Sequence, residues 1–284
     1  MLNKKIIRKI NTSRLSKKLK ENIEDKYIES EQWFNRPDLW YRLTAFSNPY
    51  ITVYSELILL EKHNNLIKKL PSTLIFYGLG TGDTEIRMVN SIILKNKEIN
   101  IIGIDVQEDF ITGFIQSLNN ICYEDNKYNI NFVGIKGLFQ ELQKSDFDIF
   151  NGRKAHIVLG NTIGNFKCSE IFRIFSKTSN KKDILLIGFQ TDTFIEKIFR
   201  QYKNNKMFND FIKKSTNLDE TKGLTWKINK KESQIEAWSG DVLVFHSKKT
   251  NPEKMIKTAE KYGFKSTEML NDDNTAIQIY EKIK

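Results

Sequence analysis

Three glycines on alternate positions mark a stretch of this chain that could bind a ligand through its backbone. Gly78, Gly80 and Gly82 lie in FYGLGTGDTE, residues 76–85, between a predicted strand and a predicted helix. Glycine lets a backbone pass close to a ligand, and the first turn of a helix offers unpaired N–H groups. We therefore expect ligand binding at this loop, with a purely structural strand-to-helix turn as the alternative.

The spacing of this glycine loop argues against two common nucleotide sites. The glycines read G-x-G-x-G, and Asp83 stands where a dinucleotide fingerprint has its third glycine. No Lys-Ser or Lys-Thr pair follows at the spacing of a nucleoside-triphosphate loop. The pattern instead suits the ribose and methionine of S-adenosylmethionine, which has no pyrophosphate to hold.

The next two predicted strands end in residues that suit the same ligand. Asp105 closes the strand in IIGIDV, where a carboxylate can accept hydrogen bonds from both ribose hydroxyls. It could equally cap the helix that follows. Gly137, Leu138 and Phe139 come after the third predicted strand, where an adenine ring would lie, although Phe139 could also belong to the core.

The fourth predicted strand ends in LGNTIGNF, residues 159–166. This string places glycines and two amides, Asn161 and Asn165, at the edge of a sheet where open α/β folds bind ligands. The alternative is a plain loop in which Asn165 caps the next helix. The predicted cofactor-binding residues are Tyr77, Gly78, Gly80, Thr81, Gly82, Asp105, Val106, Gly137, Leu138, Phe139, Asn161 and Thr162.

The elements that would position these residues alternate from residue 72 onward. Short, β-branched strands separated by helices predict a parallel sheet with helices on both faces. After Thr191 the alternation stops, and the sequence predicts a helical stretch, antiparallel strands over 223–249, a helix and two closing strands. The first 70 residues read as mostly helical, and the aromatic-rich stretch 33–56 either packs under the domain or covers a pocket.

The composition indicates which class of protein the chain belongs to. The chain has 284 residues and a formal charge of +10, and eight of these net charges come from residues 1–20. We predict a solvated amphipathic helix there; a basic arm that attracts anionic substrates or nucleic acid is the alternative. Cys122 and Cys168 have no metal-binding or redox spacing, and no apolar run has the length of a membrane span or signal peptide. A cytoplasmic protein without a bound metal is expected.

LGNTIGNF, together with the glycine loop and the strand-terminal Asp105, resembles the histidine-specific methyltransferase family, whose ergothioneine-pathway member trimethylates the α-amino group of histidine. The order of elements agrees over most of the chain. The resemblance implies a Rossmann-like class I methyltransferase core, with a mixed and mostly parallel sheet, at 71–191 and 248–284. It also implies a second, substrate-binding domain made from 1–70 and from the insertion 192–247.

The resemblance also implies a substrate site. Asn165 would hold the α-amino-carboxylate group of a small amino-acid-like substrate, helped by Tyr50 or Tyr54. The histidine enzymes present a Glu and a Ser toward the imidazole from a late strand, and the nearest equivalents in GDVLVFHSKK are His246 and Ser247. We therefore predict an amine methyltransferase of secondary metabolism, with His246 in the pocket and a substrate other than histidine.

Methyl transfer from a sulfonium needs in-line placement and a dry pocket more than an acid or base, so no catalytic residue is assigned. The products would be the methylated amine and S-adenosylhomocysteine. A nucleic-acid methyltransferase is disfavoured, because GNTIG stands where the NPPY-type motif would be. Two alternatives stay open: a cyclase or lyase that uses the same cofactor, and a non-catalytic cofactor-binding partner subunit. The second is favoured by the absence of the acid that the family usually carries beside the glycine loop, where this chain has Phe76, Tyr77 and Gly78.

Overall fold

Two β-sheets, one of eight strands and one of three, organise the chain. The structure is a computed structural model that describes residues 2–8, 26–28, 30–46, 51–124, 128–217, 223–272 and 274–284. The strands are β1 Leu2–Arg8, β2 Thr73–Tyr77, β3 Glu98–Asp105, β4 Asn129–Lys136, β5 Lys154–Val158, β6 Ile184–Gln190, β7 Thr225–Asn229, β8 Gln234–Ser239, β9 Val242–Lys248, β10 Phe264–Asn271 and β11 Thr275–Lys282. The helices are α1 Pro37–Phe46, α2 Ile51–Lys62, α3 Asn64–Ile67, α4 Asp83–Ile93, α5 Glu108–Glu124, α6 Cys168–Thr178, α7 Ile195–Asn204, α8 Lys206–Ser215 and α9 Pro252–Lys261.

The large sheet has the order β1-β4-β3-β2-β5-β6-β11-β10. Its first six strands run parallel, and β11 is antiparallel to both of its neighbours. The central strands β2 and β5 are buried along their whole length, as expected for strands covered by helices on both faces. This arrangement confirms the predicted α/β fold with a mixed, mostly parallel sheet.

The strand order reverses between β2 and β5, and this reversal positions the candidate site. From β2 the chain builds the sheet outward through β3 and β4, and it then returns to the other side of β2 with β5 and β6. The loops that leave β2 and β5 therefore diverge and open a crevice at the carboxyl ends of the strands. Ligands bind in this crevice in open α/β sheets.

A third apolar cluster lies apart from the two that cover the faces of the large sheet. It joins residues of the N-terminal segment to residues of α7, α8 and the small antiparallel sheet β7-β8-β9. Trp33 and Leu43 pack there with Ile198, Phe208 and Phe245. This shared core is consistent with a second unit built from the N-terminal segment and the insertion. The boundaries 1–70, 192–247, 71–191 and 248–284 stay a prediction.

The N-terminus differs from the predicted helix. Leu2–Arg8 forms β1, a parallel edge strand in which Leu2 lies opposite Ile130 and Ile6 opposite Gly134. The exposed backbone edge of β4 offers a row of hydrogen-bonding groups, and pairing with it outweighs local helix propensity. This segment therefore joins the large sheet as its edge strand. The rest of the basic arm lies outside the described residues.

No helix among the described residues has the length and hydropathy to cross a membrane. Within the same residues, His, Cys, Asp and Glu side chains form no group of three or more that could hold a metal ion.

The edge strand gives a testable prediction. Ile6 packs on the core beneath the sheet, whereas the adjacent Lys5 is exposed. Ile6→Asp should lower the free energy of unfolding by about 1–3 kcal/mol, because it places a charge against apolar side chains. The control Lys5→Asp should change it by less than about 0.5 kcal/mol. Urea unfolding measures both, and equal effects of the two variants would contradict the strand register.

Candidate active site

A cleft opens at the crevice between the loops after β2 and β5. Its floor is formed by the glycine loop and by the residues that follow β3, β4 and β5. Aromatic side chains of α1, α7, α8 and β9 form the opposite wall. The third apolar cluster therefore contributes to the cleft together with the large sheet. Walls from both sides reduce the contact of the cleft with water.

The glycine loop has its shape because of its three glycines. Gly78, Gly80 and Gly82 all have positive φ angles, of 74°, 53° and 74°. A Cβ on Gly82 would lie 2.5 Å from the Phe114 ring, and one on Gly80 would lie 3.1 Å from the indole nitrogen of Trp40. Side chains at these positions would therefore strain the backbone and displace the neighbouring aromatic rings.

Asp105 connects the end of β3 to the glycine loop. Its Oδ2 accepts a hydrogen bond from Gly80 N at 3.1 Å, and its Oδ1 accepts one from Gln107 N at 3.0 Å. The carboxyl is buried, and this burial raises its pKa to about 6. Because α5 begins only at Glu108, the carboxylate bonds to loop N–H groups and not to those of the helix. Each oxygen retains a lone pair that can accept from a ligand.

A fully buried carboxylate holds the loop after β5. Glu56 of α2 has no exposed surface, and its Oε2 accepts a hydrogen bond from Gly160 N at 2.6 Å, while its Oε1 accepts a longer one from Asn161 N at 3.4 Å. Burial raises the pKa of Glu56 to about 8. Sequence analysis missed this residue, although the signal was present: Glu56 shares the apolar helical spacing of Leu59 and Leu60.

The side-chain amide of Asn161 connects this loop to two strands. Its Oδ1 accepts from the backbone N–H of Gln190 at 3.0 Å, and its Nδ2 donates to the Ser247 hydroxyl at 3.0 Å. Asn161 itself has a left-handed backbone with φ 56°. A Cβ on Gly164 would come within 2.6 Å of Asn161 Nδ2 and 3.1 Å of Ser247 Oγ. Glycine at 164 therefore lets β9 approach the loop.

Most of the predicted site residues line the cleft. They are Gly78, Gly80, Thr81, Gly82, Asp105, Val106, Leu138, Phe139, Asn161, Thr162 and Asn165. Asn165 does not cap α6, since Lys167 occupies the N-cap position and no side chain caps that helix.

Two predicted cofactor residues lie behind the cleft instead of lining it. The Tyr77 ring points into the core, and its hydroxyl shares a 2.8 Å hydrogen bond with His156 Nδ1. Side chains alternate along a strand, so a residue at the end of β2 can point away from the crevice. Gly137 is buried and donates its N–H to the backbone oxygen of Asp105.

The predicted substrate residues are placed differently from the expectation. Tyr54 is 53% exposed on α2, and Tyr50 lies outside the described residues. His246 is buried on the face of β9 opposite to Phe245 and Ser247, with its Nε2 2.9 Å from the Tyr27 hydroxyl. Because neighbouring residues of a strand face opposite sides, it is Phe245 and Ser247 that line the cleft. The structure therefore does not bring Tyr54 or His246 to the site.

The lining of the cleft is acidic and aromatic. Among the described residues it includes Asp83, Glu85 and Asp105, but no Lys, Arg or His. Glu85 is buried in the first turn of α4, and burial raises its pKa to about 8. The aromatic residues in the lining are Trp33, Phe34, Trp40, Phe110, Phe139, Phe166, Tyr202, Phe208, Phe211 and Phe245.

Comparisons with known proteins agree on the fold and indicate a family. A sequence profile of the family described as "Histidine-specific methyltransferase, SAM-dependent" matches residues 15–218. No protein of curated function is significantly similar in sequence. The crystal structure of SCL7 from Oryza sativa is similar with a TM-score of 0.54 and 10% identity, over 95% of this chain and 89% of that chain.

Two further solved structures are similar at lower scores. One is the PH0226 protein of Pyrococcus horikoshii, with a TM-score of 0.48 and 13% identity, over 80% of this chain and 90% of that one. The other is the sugar N-methyltransferase KedS8 of Streptoalloteichus, with a TM-score of 0.46 and 10% identity, over 87% of this chain and 92% of that one. At such identities the likeness concerns the fold alone.

The contact between Glu56 and β6 can be tested through Gly188. A Cβ on Gly188 would collide with Glu56 Oε1, so Gly188→Ala should displace the carboxylate from the loop N–H groups. Overpacking of this kind should lower Tm by roughly 2–12 °C. Gly223→Ala is the control, because a Cβ there would meet nothing within 4 Å. Thermal unfolding measures both, and a wild-type Tm for Gly188→Ala would contradict the contact.

Proposed function

Since this chain belongs to the family of histidine-specific, SAM-dependent methyltransferases, we propose that it methylates the amine of a small amino-acid-like metabolite other than histidine. The cofactor is S-adenosylmethionine, which when bound supplies an electrophilic methyl group on a sulfonium. The observation that carries the proposal is the cleft itself, which the glycine loop and Asp105 line together with Asn165 and an aromatic wall.

The cofactor half of the cleft fits this ligand. Asp105 would accept the two ribose hydroxyls, one on each oxygen, through the lone pairs that its backbone hydrogen bonds leave unused. The glycine loop would bring its backbone close to the methionine part. Leu138 and Phe139 would flank the adenine, and Phe139 is itself supported by the Phe166 ring at a centroid distance of 5.7 Å.

The substrate half would place an amine beside the loop after β5. Asn165 lines the cleft there, and its amide offers both a donor and an acceptor, which suits a group that carries an amine and a carboxylate. The amine must be neutral to attack, and a water-poor pocket favours the neutral form. The remaining task is to hold the amine in line with the transferred methyl, and the packed walls of the cleft can do this without an acid or base.

The electrostatics of the cleft support an amine and argue against nucleic acid. The lining holds Asp83, Glu85 and Asp105 and, among the described residues, no Lys or Arg that would pair with a phosphate, despite the net positive charge of the chain. Asp83 and Glu85, together with rings such as Trp33 and Phe211, would stabilise the ammonium that methylation produces, through charge pairing and cation–π contacts.

The wall contributed by β9 supports a substrate other than histidine. The family resemblance placed an acid and a serine toward an imidazole, but β9 presents Phe245 and Ser247 to the cleft. An imidazole N–H facing Phe245 would lose a hydrogen bond to water without gaining a partner, which costs free energy in a buried site.

The cofactor assignment is tested with Asp105→Ala. Loss of two hydrogen bonds to a carboxylate should cost roughly 3 kcal/mol, about a hundredfold in affinity for S-adenosylhomocysteine by calorimetry. Asp109→Ala, an exposed acid four residues away, should bind like wild type. Because the accepting form is the carboxylate and its pKa is about 6, wild-type affinity should be level above that pH and fall below it. Unchanged affinity of Asp105→Ala for S-adenosylhomocysteine would refute the role of Asp105 in ribose binding.

The substrate assignment is tested with a methylation assay over free amino acids and related amines, with mass analysis of both products. We expect an N-methylated product and S-adenosylhomocysteine, with histidine among the poor substrates. Asn165→Ala should lower kcat/KM on the best substrate by about 10–100-fold, as expected for one or two lost hydrogen bonds. Asn151→Ala, an exposed asparagine, is the control. Efficient methylation of histidine would refute the specificity, and a wild-type kcat/KM for Asn165→Ala would refute the role of the amide.

A further inference from the structure

A lysine is buried directly behind the wall of the cleft without an acidic partner. Lys249 is 3% exposed, and its Nζ donates to Gln190 Oε1 at 2.6 Å and to Ser247 Oγ at 2.7 Å. It also lies 5.0 Å from the centre of the Tyr202 ring. Within the described part of the chain, no carboxylate oxygen lies within 4 Å of this nitrogen. Burial disfavours the charged form of such a lysine, and an anionic ligand beside it would favour that form.

The hydrogen-bond directions around Lys249 are fixed by a backbone group. The N–H of Gln190 can only donate, so the Asn161 side-chain atom that faces it must be Oδ1. Asn161 Nδ2 is therefore the atom that faces Ser247, and it donates to the hydroxyl oxygen. Gln190 Oε1 accepts from both Lys249 and the Tyr202 hydroxyl, which also fixes the orientation of that amide.

These directions determine what Ser247 can do. A charged Lys249 can only donate, so Ser247 Oγ then accepts from Asn161 at 3.0 Å and from Lys249 at 2.7 Å, and both acceptor positions of the hydroxyl are used. Its own proton has no acceptor in this network and Ser247 lines the cleft, so the hydroxyl can donate to a ligand there. The hydroxyl of Ser247 thus lies at the cleft, and Lys249 Nζ lies 2.7 Å from its oxygen.

The charges around the cleft indicate which chemical group of a ligand would face Ser247. The acids of the lining come from the glycine-loop side and the end of β3, whereas Lys249 directly follows β9 and bonds to Ser247. A ligand that carries both charges would turn its negative group toward Ser247. Burial lowers the pKa of Lys249 well below its usual value, so an anion in the cleft and the charge on Lys249 would stabilise each other.

We propose that Ser247, supported by Lys249, is the point at which the cleft binds a carboxylate of the substrate. The inference rests on the proposed function, because it takes the cleft to be the methyl-acceptor site. Ser247 donates to the carboxylate, and Lys249 is a positioning residue that orients the hydroxyl and balances the charge. The carboxylate is either the α-carboxylate of an amino acid or one on its side chain.

The experiment compares substrates with and without each carboxylate in wild type, Ser247→Ala and Lys249→Met. One arm pairs the best amino-acid substrate with its decarboxylated amine, and the other pairs glutamate with glutamine. In one of these arms the two substrates differ by the carboxylate that Ser247 binds. In that arm both variants should raise KM of the acid by about 10–100-fold, whereas KM of the neutral analogue and kcat should stay nearly unchanged. The arm that responds identifies the source of the carboxylate.

Controls separate a positioning role from a structural one. Lys248→Met removes the neighbouring lysine, which pairs with Glu232 at 3.1 Å, and should behave like wild type. Ser247→Thr keeps the hydroxyl and should restore KM at least partly. If Lys249→Met does not fold, Ser247→Ala tests the same contact, because it removes the donor and leaves Lys249 bonded to Gln190.

The outcomes distinguish this inference from the proposed function. Suppose that wild type transfers methyl groups, but Ser247→Ala and Lys249→Met change KM equally for the acid and its neutral analogue, or change neither. This result would overturn the carboxylate site and leave the proposed function standing. Absence of methyl transfer to any amine would overturn the proposed function; calorimetry of the same amino acids and amines with the S-adenosylhomocysteine complex still tests Ser247 and Lys249. Preferential binding of acids that is lost in both variants supports the inference, and equal binding of acids and amines overturns it.

Discussion

The hydrogen bonds from the loop after β5 to the buried Glu56 are the interactions on which the rest of the site depends. They bring α2, which precedes the sheet in sequence, onto the carboxyl end of β5, and Gly188 of β6 leaves the space that the carboxyl occupies. With its N–H held in this way, Asn161 takes a left-handed conformation that most residues avoid. Its amide then reaches β6 and β9 together, so the buried acid helps to set where β9 stands relative to the large sheet.

Two polar networks thus define opposite sides of the cleft. Asp105 holds the glycine loop against the end of β3, and Asn161 holds Ser247 against the loop after β5. Both networks are built from backbone N–H groups and short side chains, which lose little conformational freedom on folding. A site supported in this way can keep its geometry without a ligand. Catalysis that relies on the proximity and orientation of the reacting groups requires this property.

Much of the fold and part of the site follow from local sequence, and the rest depends on distant contacts. The parallel strands, the glycine loop and Asp105 could be predicted, because β-branched runs and glycine spacing reflect constraints within a few residues. Glu56 bonds to a residue 104 positions away, so its partner is not visible in the sequence. The difference between His246 and its two neighbours is a question of strand register, where a shift of one residue exchanges the faces. The edge strand β1 exists because β4 offers it a partner.

The net charge of the chain is a poor guide to its ligand, because charge acts through local burial. Eight of the ten net positive charges lie in residues 1–20, whereas the cleft is lined by acids among the described residues. Burial raises the pKa of Glu85 to about 8 and that of Asp105 to about 6, so a cation bound nearby would favour their ionised forms. Lys249, directly after β9, presents the opposite case, since an anion beside it would favour its charged form. Each buried group is thus poised to gain charge from a ligand of opposite sign, and an amine and a carboxylate on one molecule would satisfy both sides of the cleft at once.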